Sequence, residues 1–414
     1  MPPTETEDHA DVRDVRPPGN RVIPMTASAL DGIKIVDLAV ARAGPAAVRL
    51  LAEWGASVIR VEPPGEGLGI AADHHSSDYI NLHGNKRLIT ADLKDARGAA
   101  IVRRLIGDAD VVIENFRPPV TRRLGLDYES LAARHPRLVY GSISGYGPDG
   151  PLGDLGAVDQ IIQGRSGLMS ITGEPGTPPV RVGIAIADMA AGQLLASGVL
   201  LALFERMRSG RGQWVHVSLL EALISMLDFQ AARWTIDAQE PGQAGNHHPT
   251  ITPMGTFRTA DGFLNVAAPN DRLWQRLREA LDQPEALDDP AFATVSGRHS
   301  NRDRLRELLE AEFARYQRAE LVKLLDAAGV PCGPVNSIAE AFAEEQVRHL
   351  GVVSTVEHPA RGPVGVLRSP IRMSRTGASP KSPAPLASAD TEEVLAELGY
   401  DAAEIAELRA ARVI

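Results

Sequence analysis

Along the chain from residue 30, short apolar runs alternate with longer segments in which apolar residues recur at helical spacing. The short runs have the length and composition of buried strands, and a helix is predicted between successive strands at residues 45–54 and 98–106. Strands that alternate with helices predict an α/β fold with a Rossmann-like parallel sheet covered by helices on both faces. The predicted strands span residues 33–38, 57–62, 88–91, 110–113 and 138–144.

A second pattern begins at residue 180. Apolar residues alternate at period two up to Ile186, which predicts another strand, and residues 189–207 then form an apolar stretch without proline. This stretch ends at Ser209-Gly210, a common helix-ending signal, so it predicts a long helix. Asp188 lies where the predicted strand meets the predicted helix.

The position of Asp188 allows two interpretations. Aspartate is a preferred capping residue, and the free N–H groups and dipole of a helix start favour its ionised form. The neighbouring residues are small, however, and small residues would let a ligand approach the carboxylate closely, which a plain cap does not require. These small neighbours are Gly183, Ala185, Ala187, Ala190, Ala191 and Gly192.

Composition divides the chain into five segments. Residues 1–27 are polar and proline-bearing and are predicted to be a disordered tail, followed by a large domain at 28–225 and a linker at 226–252. A hairpin with its turn at residues 260–262, together with three helical patterns, predicts a smaller α+β domain at 253–345. Residues 346–414 are expected to be a linker whose last two helices return to the large domain.

Overall composition narrows the class of protein. The 414 residues are 44% hydrophobic and 23% charged, which is typical of a globular protein, and the net charge of −10 argues against nucleic acid or an anionic membrane as partner. The single cysteine, Cys332, is interpreted as structural. With no signal-peptide pattern and no confident membrane span, we expect a cytoplasmic protein.

Cations and amide donors cluster beside the predicted strand ends. Asn85-Lys86-Arg87 and Asn115-Phe116-Arg117-Pro118, followed by Arg122 and Arg123, could hold phosphate groups, with Phe116 stacking on an adenine ring. The alternative is ordinary solvated surface charge.

Other candidate sites have weaker support. The turn at Ala41-Arg42-Ala43-Gly44-Pro45 has one glycine, so it lacks the dinucleotide fingerprint that would make Glu62 a ribose-binding acid. Asp159 is either a base or a helix cap. His247 and His248 are adjacent on a predicted loop without partner ligands, so no metal site is predicted there.

Taken together, residues 30–353 resemble the family III CoA-transferases, a superfamily that includes formyl-CoA transferase, carnitine CoA-transferase and α-methylacyl-CoA racemase. The resemblance implies acyl-CoA and a small carboxylic acid as substrates, no permanently bound cofactor, and an interlocked homodimer. It rests on the segments Leu30–Leu38, Ala43–Pro45, Gly55–Pro64, Asn85–Arg87, Glu114–Pro118, Ser144–Gly147, Gly183–Asp188 and Ser209–Gln213.

The resemblance also implies residue roles. Asp188 matches the nucleophile of the transferases, which attacks an acyl-CoA thioester to give an aspartyl anhydride and then an aspartyl-CoA thioester. The residues matching positions that hold CoA or face the substrate are Ala41, Arg42, Ala91, Lys94, Asn115, Phe116, Arg123 and Val158.

Three departures from the family pattern bear on function. Val158 stands where the racemases have a histidine, which disfavours an acyl-CoA racemase or epimerase, and residues 244–254 lack the glycine-rich flap of formyl-CoA transferase. Arg42 replaces an amide residue and could meet an acyl carboxylate such as that of a succinyl group. A CoA-binding accessory protein without turnover is the remaining alternative, and Asp188 argues against it.

Overall fold

The computed structural model describes residues 28–65, 73–378 and 382–414, so the predicted tail at 1–27 lies outside the described residues. Its main sheet has six parallel strands in the order β3-β2-β1-β4-β5-β6. The predicted parallel sheet is therefore confirmed. The strands are β1 (Lys34–Asp37), β2 (Ser57–Glu62), β3 (Lys86–Thr90), β4 (Val111–Glu114), β5 (Val139–Ser144) and β6 (Trp214–Ser218).

The central strands are apolar without alternation because both faces of the sheet are covered. Val36 of β1 lies between Ile59 of β2 and Val112 of β4, and its side chain is almost fully buried. Since the chain leaves β1 toward β2 and later returns to the other side of β1 with β4, the strand order reverses there. Ligands of open parallel sheets bind beyond the carboxyl ends of the strands at such a switch point.

Helices cover both faces of the sheet. On one face α1 (Ala43–Glu53) packs against α8 (Ile186–Ser209), and the two contribute buried residues to one core with Ile35 and Val58. On the other face α3 (Ala96–Gly107) shares a core with the C-terminal helices α17 (Thr391–Glu397) and α18 (Ala402–Ala410). The remaining helices of this region are α2 (Ser77–His83), α4 (Pro118–Leu124), α5 (Tyr128–Ala132), α6 (Asp159–Arg165), α7 (Leu168–Ile171), α9 (Leu219–Ser225) and α10 (Phe229–Thr235).

The predicted strand over residues 180–186 is wrong. The side chain of Gln163 satisfies the backbone of this segment, because its Oε1 accepts from Val182 N at 2.8 Å and its Nε2 donates to Ile184 O at 3.2 Å. Val180 and Ile184 are 45% and 58% exposed, so their alternation marks no buried face. The sixth strand of the sheet is instead β6, which the sequence pattern did not reveal.

A second core surrounds a three-stranded antiparallel sheet in which β8 lies between its neighbours. The predicted turn at residues 260–262 joins β7 to β8, as expected from the hairpin pattern, and Phe257, Leu264, Trp274 and Phe313 are buried in this core. Its elements are β7 (Met254–Arg258), β8 (Phe263–Ala267), α11 (Asp271–Ala280), α12 (Val295–Ser300), α13 (Arg302–Phe313), α14 (Arg318–Ala327) and β9 (Cys332–Pro334), with 3₁₀ turns at Glu285–Leu287 and Pro290–Phe292.

The remainder of the chain returns to the main sheet. After α15 (Ile338–Ala343) and α16 (Glu345–Leu350), the hairpin of β10 (Val353–His358) and β11 (Gly362–Leu367) packs beside α2. Asp390 then accepts a hydrogen bond from Leu88 N of the edge strand β3 at 2.7 Å. The last two helices, α17 and α18, contribute buried side chains to the core that they share with α3.

One helix among the described residues, α8, is long and apolar enough by composition to cross a membrane. Half of its most apolar window is buried inside the fold. We therefore interpret it as a core helix of the α/β fold.

Candidate active site

Asp188 lies in the first turn of α8, as the sequence predicts, but it does not cap the helix. The cap position is Ala185, which offers no side-chain acceptor, and Asp188 is the third helical residue. No hydrogen bond or ion pair to the Asp188 carboxylate is found among the residues that the structure describes. A partly buried carboxylate without a partner is free to react with a ligand.

The surroundings of Asp188 make its ionisation costly. Burial and, to a smaller extent, the negative charge of Asp159 raise its pKa to about 6 against the opposing positive charge of Arg42. The carboxylate is still mostly ionised at neutral pH. In addition, the positive end of the α8 dipole favours the ionised form at this position.

Asp159 performs the capping role that position alone suggested for Asp188. Its Oδ1 accepts a hydrogen bond from Ala187 N at 2.8 Å, so it satisfies one of the free N–H groups at the start of α8. Its Oδ2 accepts from Gln163 Nε2 at 2.6 Å and lies 3.7 Å from the guanidinium of Arg181. Asp159 therefore fixes the helix start while keeping a second carboxylate near Asp188.

Arg42 lies at the N-terminal cap position of α1 and is held by α2. Its Nη2 donates to Oδ1 of Asp78 at 2.6 Å, and both side chains keep about a third of their surface exposed. Among the described residues it is the one cation whose charge lowers the pKa of Asp188. Asp78 was not singled out from the sequence, since 36 residues separate it from Arg42 and no motif links them.

The small residues around Asp188 have a different role from the one the sequence suggested. Ala187, Ala190 and Ala191 are buried in the core between α8 and α1. A Cβ at Gly192 would lie 2.7 Å from the carbonyl oxygen of Ala43, so this glycine allows close approach of the two helices. The side that carries Gly183 is open, because no atom of the described residues lies within 4 Å of a Cβ placed there.

Asn115 follows β4 and binds backbone rather than leaving its amide free for a ligand. Its Oδ1 accepts from Val40 N and its Nδ2 donates to Val40 O, both at 2.8 Å. The amide thus ties the end of β4 to the turn between β1 and α1, at the switch point of the sheet. Ala41, the next residue in this turn, is exposed and has a φ of 59°.

Phe116 lines a cavity of about 260 Å³ beyond the carboxyl ends of β4 and β5. Its ring also contacts the core that α3 shares with the C-terminal helices, so it is half-buried. Ser144, Asp149 and His216 line the same cavity, and Ser144 Oγ lies 3.0 Å from His216 Nε2. Phe116 therefore presents part of its ring to open space where a ligand could stack.

The other predicted contact residues lie around the same edge of the sheet. Ala91 directly follows β3 and is buried, whereas Lys94 and Arg123 are exposed, the latter in the last turn of α4. Val158 caps α6 beside Asp159 and is 63% exposed.

The phosphate-binding interpretation is wrong for Lys86 and unsupported for Arg87. The Lys86 side chain is fully buried and lies 3.0 Å from Oδ2 of Asp37, so it cannot reach a ligand at the surface. Arg87 pairs with Glu393 and Glu397 of α17 at 3.2 and 3.0 Å. Both cations therefore have structural partners.

The remaining candidates also have structural partners. Glu62 bonds Arg60 at 2.6 Å, and His248 Nδ1 accepts from Ile251 N at 3.1 Å while its ring stacks on Phe229. Cys332 donates to Val322 O at 3.6 Å, and burial raises the pKa of its thiol to about 12.

Comparison with known proteins places this chain in a family. The family model described as CoA-transferase family III matches residues 30–391. The succinate–glutarate CoA-transferase of Agrobacterium fabrum is 38% identical over 388 residues, covering 91% of this chain and 97% of that protein. The succinyl-CoA:glutarate CoA-transferase of Mus musculus is 35% identical over 392 residues, covering 93% of this chain and 90% of that protein.

A solved structure shares the fold. The crystal structure of a CAIB/BAIF family protein from Brucella suis superimposes with a TM-score of 0.81 at 36% identity, covering 90% of this chain and 100% of that one.

Proposed function

We propose that this chain, which belongs to CoA-transferase family III, transfers CoA from an acyl-CoA to a free carboxylic acid through covalent intermediates on Asp188. As a family III CoA-transferase it is an enzyme of acyl-CoA metabolism. In this proposal CoA is a substrate, and no permanently bound cofactor takes part.

The reaction proceeds in four balanced steps. The Asp188 carboxylate attacks the thioester carbonyl, and the C–S bond breaks to give an acyl-aspartyl anhydride and CoA thiolate. The thiolate attacks the aspartyl carbonyl, forming an aspartyl-CoA thioester and releasing the first acid as its carboxylate. The acceptor carboxylate then attacks this thioester, giving a second anhydride and thiolate. Attack of the thiolate on the acceptor's carbonyl yields the new acyl-CoA and restores Asp188.

The observation that supports this role best is the state of the Asp188 carboxylate. It is partly withdrawn from water, it has no partner among the described residues, and its pKa of about 6 keeps it mostly ionised at neutral pH. A desolvated, ionised and unpaired carboxylate is a competent nucleophile. A protein that only binds CoA would gain nothing from this arrangement, because ionising Asp188 there costs stability.

For CoA binding we propose the residues that surround the carboxyl edge of the sheet. The exposed cations Lys94 and Arg123 would meet phosphate groups, Phe116 would stack against the nucleotide or pantetheine chain, and the backbone at Ala41 and Ala91 would line the path to Asp188. The side chain of Val158, next to Asp159, can neither donate nor accept a proton, which supports CoA transfer rather than racemisation.

We propose dicarboxylic acids as the substrate class, with Arg42 as the group that binds the carboxylate remote from the reacting one. Among the described residues only Asp78 bonds its guanidinium, through one nitrogen, so further N–H donors are available to a ligand. The relatives named above carry succinate and glutarate in their names, which agrees with this class.

We also propose a homodimer, interlocked as the family resemblance implies. Large apolar side chains lie exposed on α8 and after α10, and a partner subunit would cover them. Leu201, Phe204, Met207 and Ile236 are 70%, 60%, 81% and 79% exposed. Light scattering on the purified protein would show twice the mass of one chain if this is right. A cytoplasmic location stays a prediction.

A substrate panel in heavy water tests the reaction class. Succinyl-CoA or glutaryl-CoA is mixed with mono- and dicarboxylic acids, and new CoA esters are identified by mass spectrometry. We expect new CoA esters to form only when an acceptor acid is present, and preferentially with dicarboxylates. Deuterium exchange at the α-carbon without any acceptor would indicate a racemase instead and would contradict the transferase mechanism.

Arg42→Gln separates the reaction from its substrate class. We expect it to reduce transfer to dicarboxylates far more than transfer to monocarboxylates, because only the former have a second charge to bind. An equal loss for both classes would overturn the role of Arg42 but leave the transferase proposal standing.

A further inference from the structure

The turn between β1 and α1, which spans Leu38–Arg42 and is called the β1–α1 turn below, has a strained backbone. Ala41 has a φ of 59°, in the left-handed region that favours glycine. Holding a non-glycine residue there costs on the order of 1 kcal/mol, and such strain persists only where surrounding contacts enforce it. In this turn the contacts come from side chains that bind the backbone.

Side chains from three strands bind the backbone of the β1–α1 turn on its sheet side. Asp37 Oδ1 accepts from Ala39 N at 3.0 Å, and Arg60 Nη1 donates to Ala39 O at 2.8 Å. Asn115 bonds both backbone groups of Val40. Every one of these four backbone groups is therefore satisfied by a side chain rather than by regular secondary structure.

Lys86 connects the same group to the start of α1. Its Nζ donates to Asp37 Oδ2 at 3.0 Å and to Pro45 O at 3.3 Å, and Arg60 Nη1 lies 3.3 Å from the same Asp37 oxygen. Asp37, Arg60, Lys86 and Asn115, called the clamp residues below, thus bind the chain on both sides of Ala41 and Arg42.

The charges of the clamp are all compensated. Burial alone would raise the pKa of Asp37, but Lys86 and Arg60 outweigh burial and hold that pKa below its ordinary value. Burial lowers the pKa of Lys86 to about 8 against the opposing attraction of Asp37, so the ammonium is charged at neutral pH. A fully paired buried cluster of this kind is rigid, and removing one partner is strongly destabilising.

We propose that the clamp residues are positioning residues of the transfer reaction. By enforcing the strained β1–α1 turn they hold Arg42 beside Asp188, and Ala41 at the mouth of the site, before substrate arrives. This inference rests on the proposed function, since it assigns the clamp to the same site. Preorganised groups of this kind matter because a misplacement of 1 Å lowers a rate by about a hundred-fold.

The test compares two buried cations that bind backbone carbonyls. Lys86→Met removes the bonds to Asp37 and Pro45. Arg206→Met is the matched control, because Arg206 is also buried, pairs with the Asp110 carboxylate, and donates to Asp110 O and Arg137 O at the opposite end of the sheet. Both variants are expected to lose thermal stability. Activity is measured per folded molecule, at a temperature where circular dichroism shows each variant folded.

For Lys86→Met we expect kcat/KM for the acyl-CoA to fall roughly a hundred-fold per folded molecule. We also expect the acid limb of its pH profile to move to higher pH, since Arg42 would no longer oppose Asp159 and burial in setting the ionisation of Asp188. Arg206→Met should leave both quantities unchanged. Equal activity and equal acid limbs in the two variants would overturn the proposal, because a merely structural cluster would affect stability alone.

Arg60→Lys provides the second variant if Lys86→Met does not fold. It keeps a buried positive charge next to Asp37 but shortens the reach to Ala39 O, so a smaller fall in kcat/KM with the same shift of the acid limb is expected. Wild-type activity distinguishes the two proposals. If the wild type shows no CoA transfer, the proposed function itself is wrong. If Arg60→Lys has the activity and the acid limb of the wild type, only the positioning role of the clamp residues is wrong.

Discussion

Two groups of charged side chains lie on either side of the β1–α1 turn, and they satisfy their charges in different ways. Beneath the turn, Asp37, Arg60 and Lys86 are buried and each has a partner of opposite charge. Beyond the turn, Asp188 has Arg42 and Asp159 nearby, but Arg42 bonds Asp78 and Asp159 bonds the start of α8. The same types of residue therefore stabilise the backbone on one side and, on the other, leave the Asp188 carboxylate without a partner among the described residues.

The two carboxylates also have opposite effects on folding stability. The pKa of Asp37 lies below its ordinary value, so its ionised form favours the folded state, whereas the pKa of Asp188 lies above its ordinary value, so its ionised form opposes folding. Strained or destabilised groups are typical of functional sites when the rest of the structure compensates for them.

The largest expected effect is that of Asp188→Asn. CoA transfer should fall by at least about a thousand-fold, because the proposed nucleophile is lost. The pKa of Asp188 in the folded protein, about 6, exceeds the ordinary value of 3.8, so the fold favours the neutral carboxyl over the charged one. The stability that Asp188 contributes is therefore greatest below pH 3.8 and is lost as the pH rises through 6. Asparagine carries no charge at pH 7 and avoids this loss. The free energy of unfolding at pH 7, measured by urea titration, should therefore be roughly 1–2 kcal/mol higher for Asp188→Asn than for the wild type. An Asp188→Asn variant that keeps its activity and is less stable than the wild type would contradict the contrast between the two groups of charged side chains.

Asp37→Asn should have the opposite effect on stability. It leaves Lys86 and Arg60 buried without a counter-charge, and breaking a buried pair in this way costs about 3–5 kcal/mol. Urea denaturation at pH 7 would show the loss, with Asp188→Asn as the control in which a charge is also removed. If the two variants changed stability in the same direction, the contrast between the clusters would be wrong.

The sequence predicts much of this contrast but not all of it. Asp188 stands out because a single carboxylate interrupts an apolar segment at a helix start, and Asp37 could have been noticed in the same way, since it ends the buried run of β1. What the sequence does not reveal is pairing between distant residues. Arg42 with Asp78 and Lys86 with Asp37 meet only because the sheet and α2 bring them together.

The fold shows the same limit. The strands β1, β2, β4 and β5 could be predicted because apolar residues are concentrated in them, as expected for strands buried on both faces, although Arg60 interrupts β2 and Ser142 interrupts β5. The alternating run at 180–186 misled because Gln163, far from it in the chain, binds its backbone. The edge strand β6 is only partly buried, so its pattern is weak.

Activity as a function of pH separates the two groups further. The kcat/KM of the wild type should fall below about pH 6 as Asp188 becomes protonated. Arg42→Gln should move this acid limb to higher pH, because Arg42 lowers the pKa of Asp188. Arg315→Gln, which removes an exposed arginine paired with Glu312, should leave the limb in place. A limb unaffected by Arg42→Gln would mean that another group titrates there.

The smallest expected effect concerns the packing that brings α8 to the turn. Gly192→Ala places a Cβ 2.7 Å from Ala43 O and should destabilise the protein by about 1–3 kcal/mol as α1 and α8 separate. Gly164→Ala in α6 meets only Met169 Sδ at 3.8 Å and should stabilise slightly, by up to about 1 kcal/mol. Thermal melts of the two variants would show whether the close contact of the helices is required.

Trapping the covalent intermediate tests the central claim most directly. The protein is incubated with succinyl-CoA and hydroxylamine, digested, and analysed by mass spectrometry. We expect a hydroxamate on the peptide that contains Asp188. It should form only when the acyl-CoA is present, and it should be absent from the Asp188→Asn variant. CoA transfer that proceeds without modification of Asp188, or with modification of Asp159 instead, would contradict it.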